Sequence, residues 1–314
     1  MRSHGCVADG VPTTVADRYD LVACLGVGGM GVVHSVRDRR TGQLFAIKQA
    51  APERWGAAEP QTSPRTCLER EYRVLSRLRH VNVVRAYDFH SDGPGEPFLV
   101  LELLEHGWTI DCYGLGAASA ERVRVLVEMF EGLAYVHRKG FVHRDIKPSN
   151  ILVCHRPATG EPFRPGADEL PTPGPRVCLI DFGLTVGTDE KTTPAGDDGC
   201  GPPSLLGSRL YLAPELFDGE NASFASDLYG AGMVAAEVLT GADPVFATGP
   251  RPTLASLLQF PRSWVEACRG NGALDKRSAA LLLRLLAPDP GDRPSRAEEV
   301  VCELEAIGRW RGCE

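Results

Sequence analysis

Residues 141–153 form the stretch that most constrains this chain, because charged and amide side chains stand there at fixed offsets between two apolar ends. Apolar ends predict short strands that hold a loop between them. In that loop, the carboxylate of Asp145 can orient or deprotonate a hydroxyl, the ammonium of Lys147 can neutralise an anion, and the amide oxygen of Asn150 can bind a hard cation. Phosphoryl transfer needs these groups, because its transition state spreads negative charge over several oxygens.

A second carboxylate follows an apolar run further along the chain. Residues 177–180 read as a β-strand, and Asp181 comes at the end of that strand. Gly183 allows the backbone to turn away in a conformation that a Cβ atom would oppose. We therefore expect Asp181 and Asn150 to hold a metal ion between them.

These two stretches resemble the motifs of the protein kinase family. His143-Arg144-Asp145 with Asn150 matches H-R-D-x-x-x-x-N, and Asp181-Phe182-Gly183 matches D-F-G, in the order that the family uses. The resemblance covers nearly the whole chain and is closest to bacterial eukaryotic-like serine/threonine kinases. It implies an α+β, bilobal protein-kinase-like fold. The small N-lobe would be antiparallel and β-rich with one main helix, and the larger C-lobe would be mainly helical.

The resemblance also divides the chain into expected parts. They are a flexible lead-in (1–17), the N-lobe and hinge (18–104), the C-lobe (105–310) and a tail (311–314). Within the C-lobe we expect a Pro/Gly-rich loop insertion at 154–176 and an activation segment at 181–215.

Several glycines lie between two segments that alternate as strands. The expected phosphate-covering residues in this stretch are Gly26, Val27, Gly28, Gly29 and Gly31. A dinucleotide-binding fold uses the same glycine spacing to open a helix. Here another alternating segment and a hairpin signal follow instead, so we predict a flap between antiparallel strands.

The resemblance assigns further residues to a nucleotide site. Lys48 corresponds to the family lysine that holds the α- and β-phosphates and pairs with a helix glutamate. Glu71 is the expected partner in preference to Glu69, because Glu71 lies next to the apolar face of the predicted helix. The expected base contacts are Val33, Ala46 and Leu152 on the two faces of the ring, Leu101 at the back, and Glu102 and Leu104 in the hinge.

The implied activity is transfer of the ATP γ-phosphate to serine or threonine hydroxyls of a protein substrate. The implied cofactors are ATP and Mg²⁺, with Mn²⁺ as an alternative metal. Lys48, Asp145, Lys147, Asn150 and Asp181 form the implied catalytic set, and Lys147 marks serine/threonine kinases within the family.

Autophosphorylation in the activation segment is a further expectation, because Arg144 supplies a cation that could pair with an ordered phosphate. Four acidic residues in the segment would repel added phosphate, so constitutive activity without phosphorylation stays open as an alternative. The candidate phosphosites are Thr188, Thr192, Thr193 and Ser204, with Thr192 and Thr193 preferred.

Other residues take supporting roles by resemblance. Asp227 would hold the backbone of the loop within residues 141–153, which we call the catalytic loop. Arg293 would pair with Glu215. Ser208 stands where the family often has a threonine that contacts the catalytic aspartate and lysine. His137 is expected to pack or cap structurally.

The spacing of apolar residues predicts further strands and helices on either side of the catalytic loop. Residues 80–84 alternate as a strand, and residues 225–239 read as a buried central helix. Ser119 is the expected N-cap of a helix that ends at Lys139-Gly140.

Composition narrows the range of partners and compartments. The net charge is −7 with dispersed Lys and Arg, which argues against nucleic-acid binding. Ten cysteines without a C-x-x-C pair argue against a zinc site and predict free thiols in a reducing compartment. No run approaches the roughly 18 apolar residues of a membrane span, so we expect a cytoplasmic chain. A homodimer that phosphorylates itself in trans is an open option.

Two rival functions come from other classes. A pseudokinase would bind nucleotide and signal by contact, but Lys48, Asp145 and Asp181 are all retained. A small-molecule kinase of the aminoglycoside or choline type would lack the A-P-E motif and its arginine, which here are represented by Glu215 and Arg293.

Overall fold

The computed structural model describes residues 14–28, 31–50, 64–91, 96–105, 107–154, 175–188, 208–242 and 254–311. These residues fall into two compact units. The first unit comprises the described residues of 14–79 and 84–104, and the second comprises 80–83 and the described residues from 105 onward.

The first unit is β-rich, as predicted, and its described residues form one antiparallel sheet and one helix. The strand order is β1-β2-β3-β4-β6-β5. The strands are β1 Thr14–Val15, β2 Tyr19–Gly28, β3 Gly31–Asp38, β4 Leu44–Gln49, β5 Ala86–His90 and β6 Phe98–Leu101, and the helix is α1 Pro64–Leu75.

The core of this unit lies on one face of the sheet, where alternating side chains of each strand are buried. Tyr19, Val36, Ile47, Phe98 and Val100 form one buried cluster. These residues come from four strands, so their burial fixes the register of the sheet. The hairpin predicted before β4 is present, with Gly42 at φ +76°.

The prediction of a strand at residues 80–84 is wrong. The Val83 amide donates to the His80 carbonyl at 3.2 Å, which closes a turn, and the next strand begins only at Ala86. The carbonyl of Asn82 accepts from the Leu179 amide at 2.9 Å, while the Asn82 side chain donates to the Val177 carbonyl at 2.8 Å. These tertiary contacts override the alternating pattern of valines.

The second unit is mainly helical and carries two small antiparallel sheets, in the orders β10-β9-β7 and β11-β8. Its strands are β7 Trp108–Thr109, β8 Phe141–Val142, β9 Ile151–Cys154, β10 Arg176–Leu179 and β11 Val186–Gly187. Its helices are α2 Ile110–Gly116, α3 Ser119–Arg138, α4 Pro214–Phe217, α5 Phe224–Thr240, α6 Leu254–Gly270, α7 Lys276–Leu285 and α8 Ala297–Arg311.

Helix α5 is the buried central helix that the sequence predicts. Ser223 and Ser226 form a reciprocal cap at its start, and Gly241 ends it with φ +68°. At Gly230 an added Cβ atom would lie 3.0 Å from the Ile146 carbonyl oxygen. The absence of a side chain at Gly230 therefore lets α5 lie directly against the catalytic loop.

Helix α3 ends as predicted but begins one residue earlier than predicted. Ala118 occupies the N-cap and Ser119 is the first helical residue, so the prediction of a Ser119 cap is wrong. Lys139 is the C-cap, and Gly140 follows with φ +77°. This end leads directly into β8 and the catalytic loop.

The pairing predicted between Arg293 and Glu215 is present and buried. The two guanidinium nitrogens each donate to one carboxylate oxygen at 2.7 Å. Arg293 also donates to the Ala287 and Ala225 carbonyls, both at 2.9 Å. The pair therefore joins α4, the start of α5 and the turn after α7.

Breaking this pair should destabilise the protein strongly. Arg293→Met leaves the Glu215 carboxylate, whose side chain is 6% exposed, without its cation, so we expect a loss of roughly 3–5 kcal/mol in the free energy of unfolding. Arg284→Met is the matched control, because Arg284 forms an exposed pair with Glu303 whose loss should cost about 1 kcal/mol at most. Urea unfolding of both variants checks this, and equal losses would contradict the structural role of the buried pair.

His80 should make stability depend on pH. Its ring stacks on Tyr135 at a centroid distance of 4.7 Å, and its Nδ1 accepts from the Asn82 amide at 3.1 Å. Burial, with smaller contributions from Arg138 and Arg176, lowers the pKa of His80 from 6.5 to about 4. Between these values the unfolded chain binds a proton that the folded chain does not, so the free energy of unfolding should fall as pH drops from 6.5 towards 4.

Urea unfolding at pH 7 and pH 5 tests this effect. The His80→Phe variant keeps an aromatic ring against Tyr135 and cannot titrate, so it should lose less stability than wild type over the same interval. An identical loss in both proteins would assign the pH dependence to other groups.

Among the described residues, no helix is both long and apolar enough to cross a membrane. Six described cysteines are free thiols, as expected, whereas Cys67 in α1 is disulfide-bonded, which corrects the expectation of free thiols at that position.

Candidate active site

In the first unit, Lys48 and Glu71 form a buried ion pair. The Lys48 Nζ donates to the Glu71 carboxylate oxygens at 2.8 and 3.0 Å, and the residues are 7% and 2% exposed. Glu71 is therefore the partner, as predicted, while Glu69 lies on the surface and accepts from Arg73 at 3.2 Å. Strand β4 supplies the lysine and α1 supplies the glutamate, so the pair fixes this helix against the sheet.

The described residues of the glycine-rich stretch end β2 and begin β3, and these strands pair antiparallel, as predicted. Gly28 pairs with Gly31, and Gly26 pairs with Val33. Val33 in turn pairs with Lys48 across β3 and β4. Gly26, Val33 and Lys48 thus form a row across three strands, with the glycine two strands away from the buried lysine. Gly29 lies outside the described residues.

Gly31 occupies a position that only glycine can take. Its φ is +146°, and an added Cβ atom would lie 2.0 Å from the Gln49 carbonyl oxygen. Val27, near the tip of the same hairpin, is 51% exposed. The glycines therefore reduce side-chain bulk in the described part of the hairpin, as a phosphate-covering flap requires.

The predicted base-contacting residues of the first unit lie on neighbouring strands. Ala46 of β4 pairs with Leu101 of β6, and both are buried. The chain leaves β6 at Glu102, whose amide donates to the Arg85 carbonyl at 2.8 Å. Leu104 is half-buried at the end of this unit. Leu152 belongs to the second unit.

In the second unit, Asp145, Lys147 and Asn150 converge within the catalytic loop. The Lys147 Nζ donates to the Asp145 carboxylate oxygens at 2.7 and 2.9 Å. The Asn150 side-chain amide donates to the Asp145 carboxylate at 2.8 Å and to its carbonyl at 2.9 Å. The Asp145 carboxylate is thus held between a cation and an amide, while the residue stays partly exposed to solvent.

Asp227 holds the backbone that presents Asp145, as predicted. One carboxylate oxygen accepts from the His143 amide at 2.7 Å, and the other accepts from the Arg144 amide at 2.8 Å. His137 contacts the first oxygen at 2.9 Å. Arg144 has φ +72°, which is unfavourable for a residue with a long side chain, so these two amide bonds offset local backbone strain.

Asp181 lies beside Asn150 because the preceding strand ends there. The Ile180 amide donates to the Asn150 carbonyl at 2.9 Å. Asp181 has φ +62°, a conformation that aspartate tolerates better than most residues. The next residue, Phe182, is fully buried with its ring 4.6 Å from that of His143. Phe182 therefore anchors the turn with its ring inward, and Asp181 directly follows the residue whose amide bonds to the Asn150 backbone.

Asn150 and Asp181 fit a divalent metal by the chemistry of their oxygens. The Asn150 amide nitrogen is committed to Asp145, which leaves its oxygen as the remaining acceptor. No cluster of three or more His, Cys, Asp or Glu residues suited to a metal occurs in the described parts of the chain. Mg²⁺ in phosphotransfer sites takes one or two protein carboxylates and completes its shell with phosphates and water, so two protein ligands suffice.

Leu152 lies between β7 and β10 in the small sheet of this unit. It pairs with Thr109 on one side and with Cys178 on the other, and it is half-buried. A partly exposed leucine directly after the catalytic loop fits the predicted contact with one face of a base.

The start of the predicted activation segment is hydrogen-bonded to the end of α3. Thr188 is exposed, and its amide donates to the Gly140 carbonyl at 2.8 Å. Ser208 begins a short 3₁₀ turn, Ser208–Tyr211, and its predicted contact stays a prediction. Thr192, Thr193 and Ser204 lie outside the described residues.

Two polar contacts at this site were missed by sequence reasoning. The Thr185 hydroxyl, which is fully buried, donates to the His143 carbonyl at 3.4 Å. The Tyr211 hydroxyl donates to the Glu237 carboxylate at 2.8 Å, and Glu237 is buried within α5. The Tyr211–Glu237 contact could have been suspected from the sequence, because Glu237 stands inside the apolar run of α5. No sequence pattern around Thr185 indicates its contact.

Known proteins match this chain over nearly its whole length. The protein kinase domain model matches residues 19–304. Serine/threonine-protein kinase pkn3 of Myxococcus xanthus is 27% identical, over 96% of this chain and 52% of that protein. Probable serine/threonine-protein kinase pknA2 of Bifidobacterium longum is 30% identical, over 93% of this chain and 35% of that protein.

Serine/threonine-protein kinase PknB of Mycobacterium tuberculosis is 27% identical, over 94% of this chain and 44% of that protein. The chain thus spans about half or less of the length of these relatives. The family match includes the glycine-rich hairpin, the Lys48–Glu71 pair, the catalytic loop and the Asp181 turn. This chain belongs to the protein kinase domain family.

Proposed function

We propose that this chain is a serine/threonine protein kinase that transfers the γ-phosphate of ATP to hydroxyls of a protein substrate. The observation that carries the proposal is the Asp145 carboxylate, held by Lys147 and Asn150 on a loop whose backbone is fixed by Asp227. Family membership and the names of the relatives support it.

In the proposed reaction, Asp145 accepts or orients the proton of the attacking serine or threonine hydroxyl. The oxygen then attacks the γ-phosphorus, the bond to the β-phosphate oxygen breaks, and ADP leaves. Lys147, which is paired with Asp145, would neutralise charge on the transferring phosphoryl oxygens. Positioning and charge neutralisation supply most of the rate enhancement in such a step.

Nucleotide binding is assigned to the first unit and to the turn at Asp181. Lys48, oriented by Glu71, would hold the α- and β-phosphates, and the glycine-rich hairpin would cover them. Asn150 and Asp181 would hold Mg²⁺ or Mn²⁺, which would supply positive charge to neutralise the phosphates. Val33, Ala46, Leu101, Glu102, Leu104 and Leu152 would surround the base.

The division of the chain follows from the family resemblance. We place the N-lobe and hinge at 18–104, the C-lobe at 105–310, the lead-in at 1–17 and the tail at 311–314. Within the C-lobe, the insertion is placed at 154–176 and the activation segment at 181–215. We also propose, from sequence, that the chain phosphorylates itself in the segment 181–215 and that it does so in trans within a homodimer. We propose that it acts in the cytoplasm. The free thiols support a reducing compartment, and the Cys67 disulfide argues against it.

Incubation with labelled ATP and Mg²⁺ tests the proposed function. Three acceptors are offered separately: a mixed protein substrate, an aminoglycoside and choline. We expect acid-stable phosphoserine and phosphothreonine on protein alone. Nucleotide binding without transfer would indicate a pseudokinase, and transfer only to a small molecule would indicate the other rival.

The Lys48→Arg variant tests the role of Lys48. It keeps a cation beside Glu71 but replaces the compact ammonium with a larger planar group. Full activity in this variant would contradict the assignment of Lys48 to the phosphates.

A further inference from the structure

Among the cysteines that the structure describes, Cys67 alone forms a disulfide. The others are reduced thiols: Cys24, Cys112, Cys154, Cys178, Cys268 and Cys302. The sequence contains ten cysteines, so by elimination the partner of Cys67 is Cys6, Cys200 or Cys313, which lie outside the described residues. Within the described chain, the covalent bond is thus confined to α1.

Cys67 lies one helical turn before Glu71, the glutamate that pairs with Lys48. Residues four apart lie on the same face of a helix, with a rise of about 6 Å between them. Cys67 is half-buried on this face, and Glu71 is buried. The disulfide therefore fixes α1 one turn away from the buried ion pair.

Helix α1 depends on such anchors because it is short. It contains 12 residues, and an isolated helix of about this length is only marginally stable in water. In its first two turns, Leu68 is buried, whereas Arg65 makes an exposed hydrogen bond to the Ser91 hydroxyl at 3.1 Å. Loss of the covalent anchor should therefore loosen the turns that lead to Glu71.

We propose that the Cys67 disulfide is a redox switch that holds Glu71 in place for Lys48. In the oxidised chain, the carboxylate oxygens of Glu71 accept from the Lys48 ammonium at 2.8 and 3.0 Å. In the reduced chain, the start of α1 opens more often and takes Glu71 away from the lysine. A disulfide in a compartment that keeps other thiols reduced is typically redox-sensing, which agrees with this role.

The reductant in this switch is a dithiol. One of its thiolates attacks a sulfur of the Cys67 disulfide, the S–S bond breaks, and a mixed disulfide forms. The second thiol of the reductant then displaces the remaining cysteine. Cys67 and its partner together gain two electrons and two protons, and the dithiol becomes a disulfide.

The switch would act on nucleotide binding, a consequence that rests on the proposed function. If the disulfide favours the arrangement that binds nucleotide by a factor of about ten, bound nucleotide must favour the disulfide by the same factor. For a two-electron couple, a tenfold change corresponds to about 30 mV. Saturating ADP should therefore lower the reduction potential of the disulfide by about 30 mV.

Peptide mapping and hydrogen exchange of the full chain test the switch without nucleotide. Free thiols are blocked with N-ethylmaleimide, and digestion without reductant should yield a peptide of α1 linked through Cys67. After reduction with dithiothreitol, the amides of residues 64–75 should exchange about tenfold faster. Helix α8, which carries the reduced Cys302, is the internal control and should exchange unchanged.

Binding of a fluorescent ADP analogue then measures the effect on the nucleotide site. Reduction should weaken binding to wild type by about tenfold. Cys67→Ser should bind like reduced wild type and should not respond to dithiothreitol. Cys302→Ser is the matched control, because Cys302 is an exposed thiol in α8, and this variant should respond as wild type does.

Three results would overturn the proposal. They are a free Cys67 thiol in the unreduced protein, a Cys67 disulfide to one of the six reduced cysteines, and α1 exchange rates that reduction leaves unchanged. A chain that binds no nucleotide but shows faster α1 exchange on reduction would refute the proposed nucleotide site and support the switch. Failure of the two proposals can thus be told apart.

Discussion

Asp181→Asn should leave no measurable phosphotransfer. The substitution removes one negative charge from the proposed metal site beside Asn150, and metal neutralisation of the phosphates carries much of the barrier reduction. Asparagine also tolerates the left-handed backbone at this position, where φ is +62°, so the turn should stay intact. Initial rates with saturating ATP and Mg²⁺ measure the effect.

Asp292→Asn provides the control for Asp181→Asn. Asp292 is exposed in the turn before α8, and its replacement makes the same change of carboxylate to amide away from the site. The control should keep wild-type activity. Retention of most activity by Asp181→Asn, with an unchanged melting temperature, would refute the assignment of Asp181 to the metal.

Asp145→Asn should lower turnover by roughly 10²- to 10⁴-fold, which is the usual contribution of a positioned acid or base. Asparagine can still accept from Lys147, but it cannot take the hydroxyl proton. Affinity for ATP should change little, because the Lys48–Glu71 pair is untouched. Single-turnover rates separate the chemical step from substrate binding and product release.

Asp218→Asn is the corresponding control, since Asp218 is exposed at the end of α4. An unchanged single-turnover rate in Asp145→Asn would mean that another residue orients the hydroxyl.

The catalytic loop could be predicted because its chemistry is local in the sequence. Asp145, Lys147 and Asn150 lie within one short stretch between apolar ends, and the structure joins their side chains directly. Distant pairs were predictable for another reason. Lys48 with Glu71, and Arg293 with Glu215, follow from family resemblance, since spacing alone cannot bring such distant residues together.

Elements that depend on tertiary contacts were harder to predict. The valines at 80–84 alternate as in a strand, but hydrogen bonds from Asn82 to β10 hold a turn there. Ser119 is a good cap by residue type, yet Ala118 takes the capping position. The stacking of Tyr72 on Phe89 was not foreseen either, because it joins α1 to a separate strand.

Phosphosite mapping of wild type and Asp181→Asn tests the central claim most directly. Each protein is incubated with ATP, Mg²⁺ and a mixed protein substrate, and modified residues are identified by mass spectrometry. We predict phosphoserine and phosphothreonine in the wild-type reaction and none above background with Asp181→Asn. Equal phosphorylation in both reactions, or none in either, would contradict the proposal that these residues catalyse phosphate transfer.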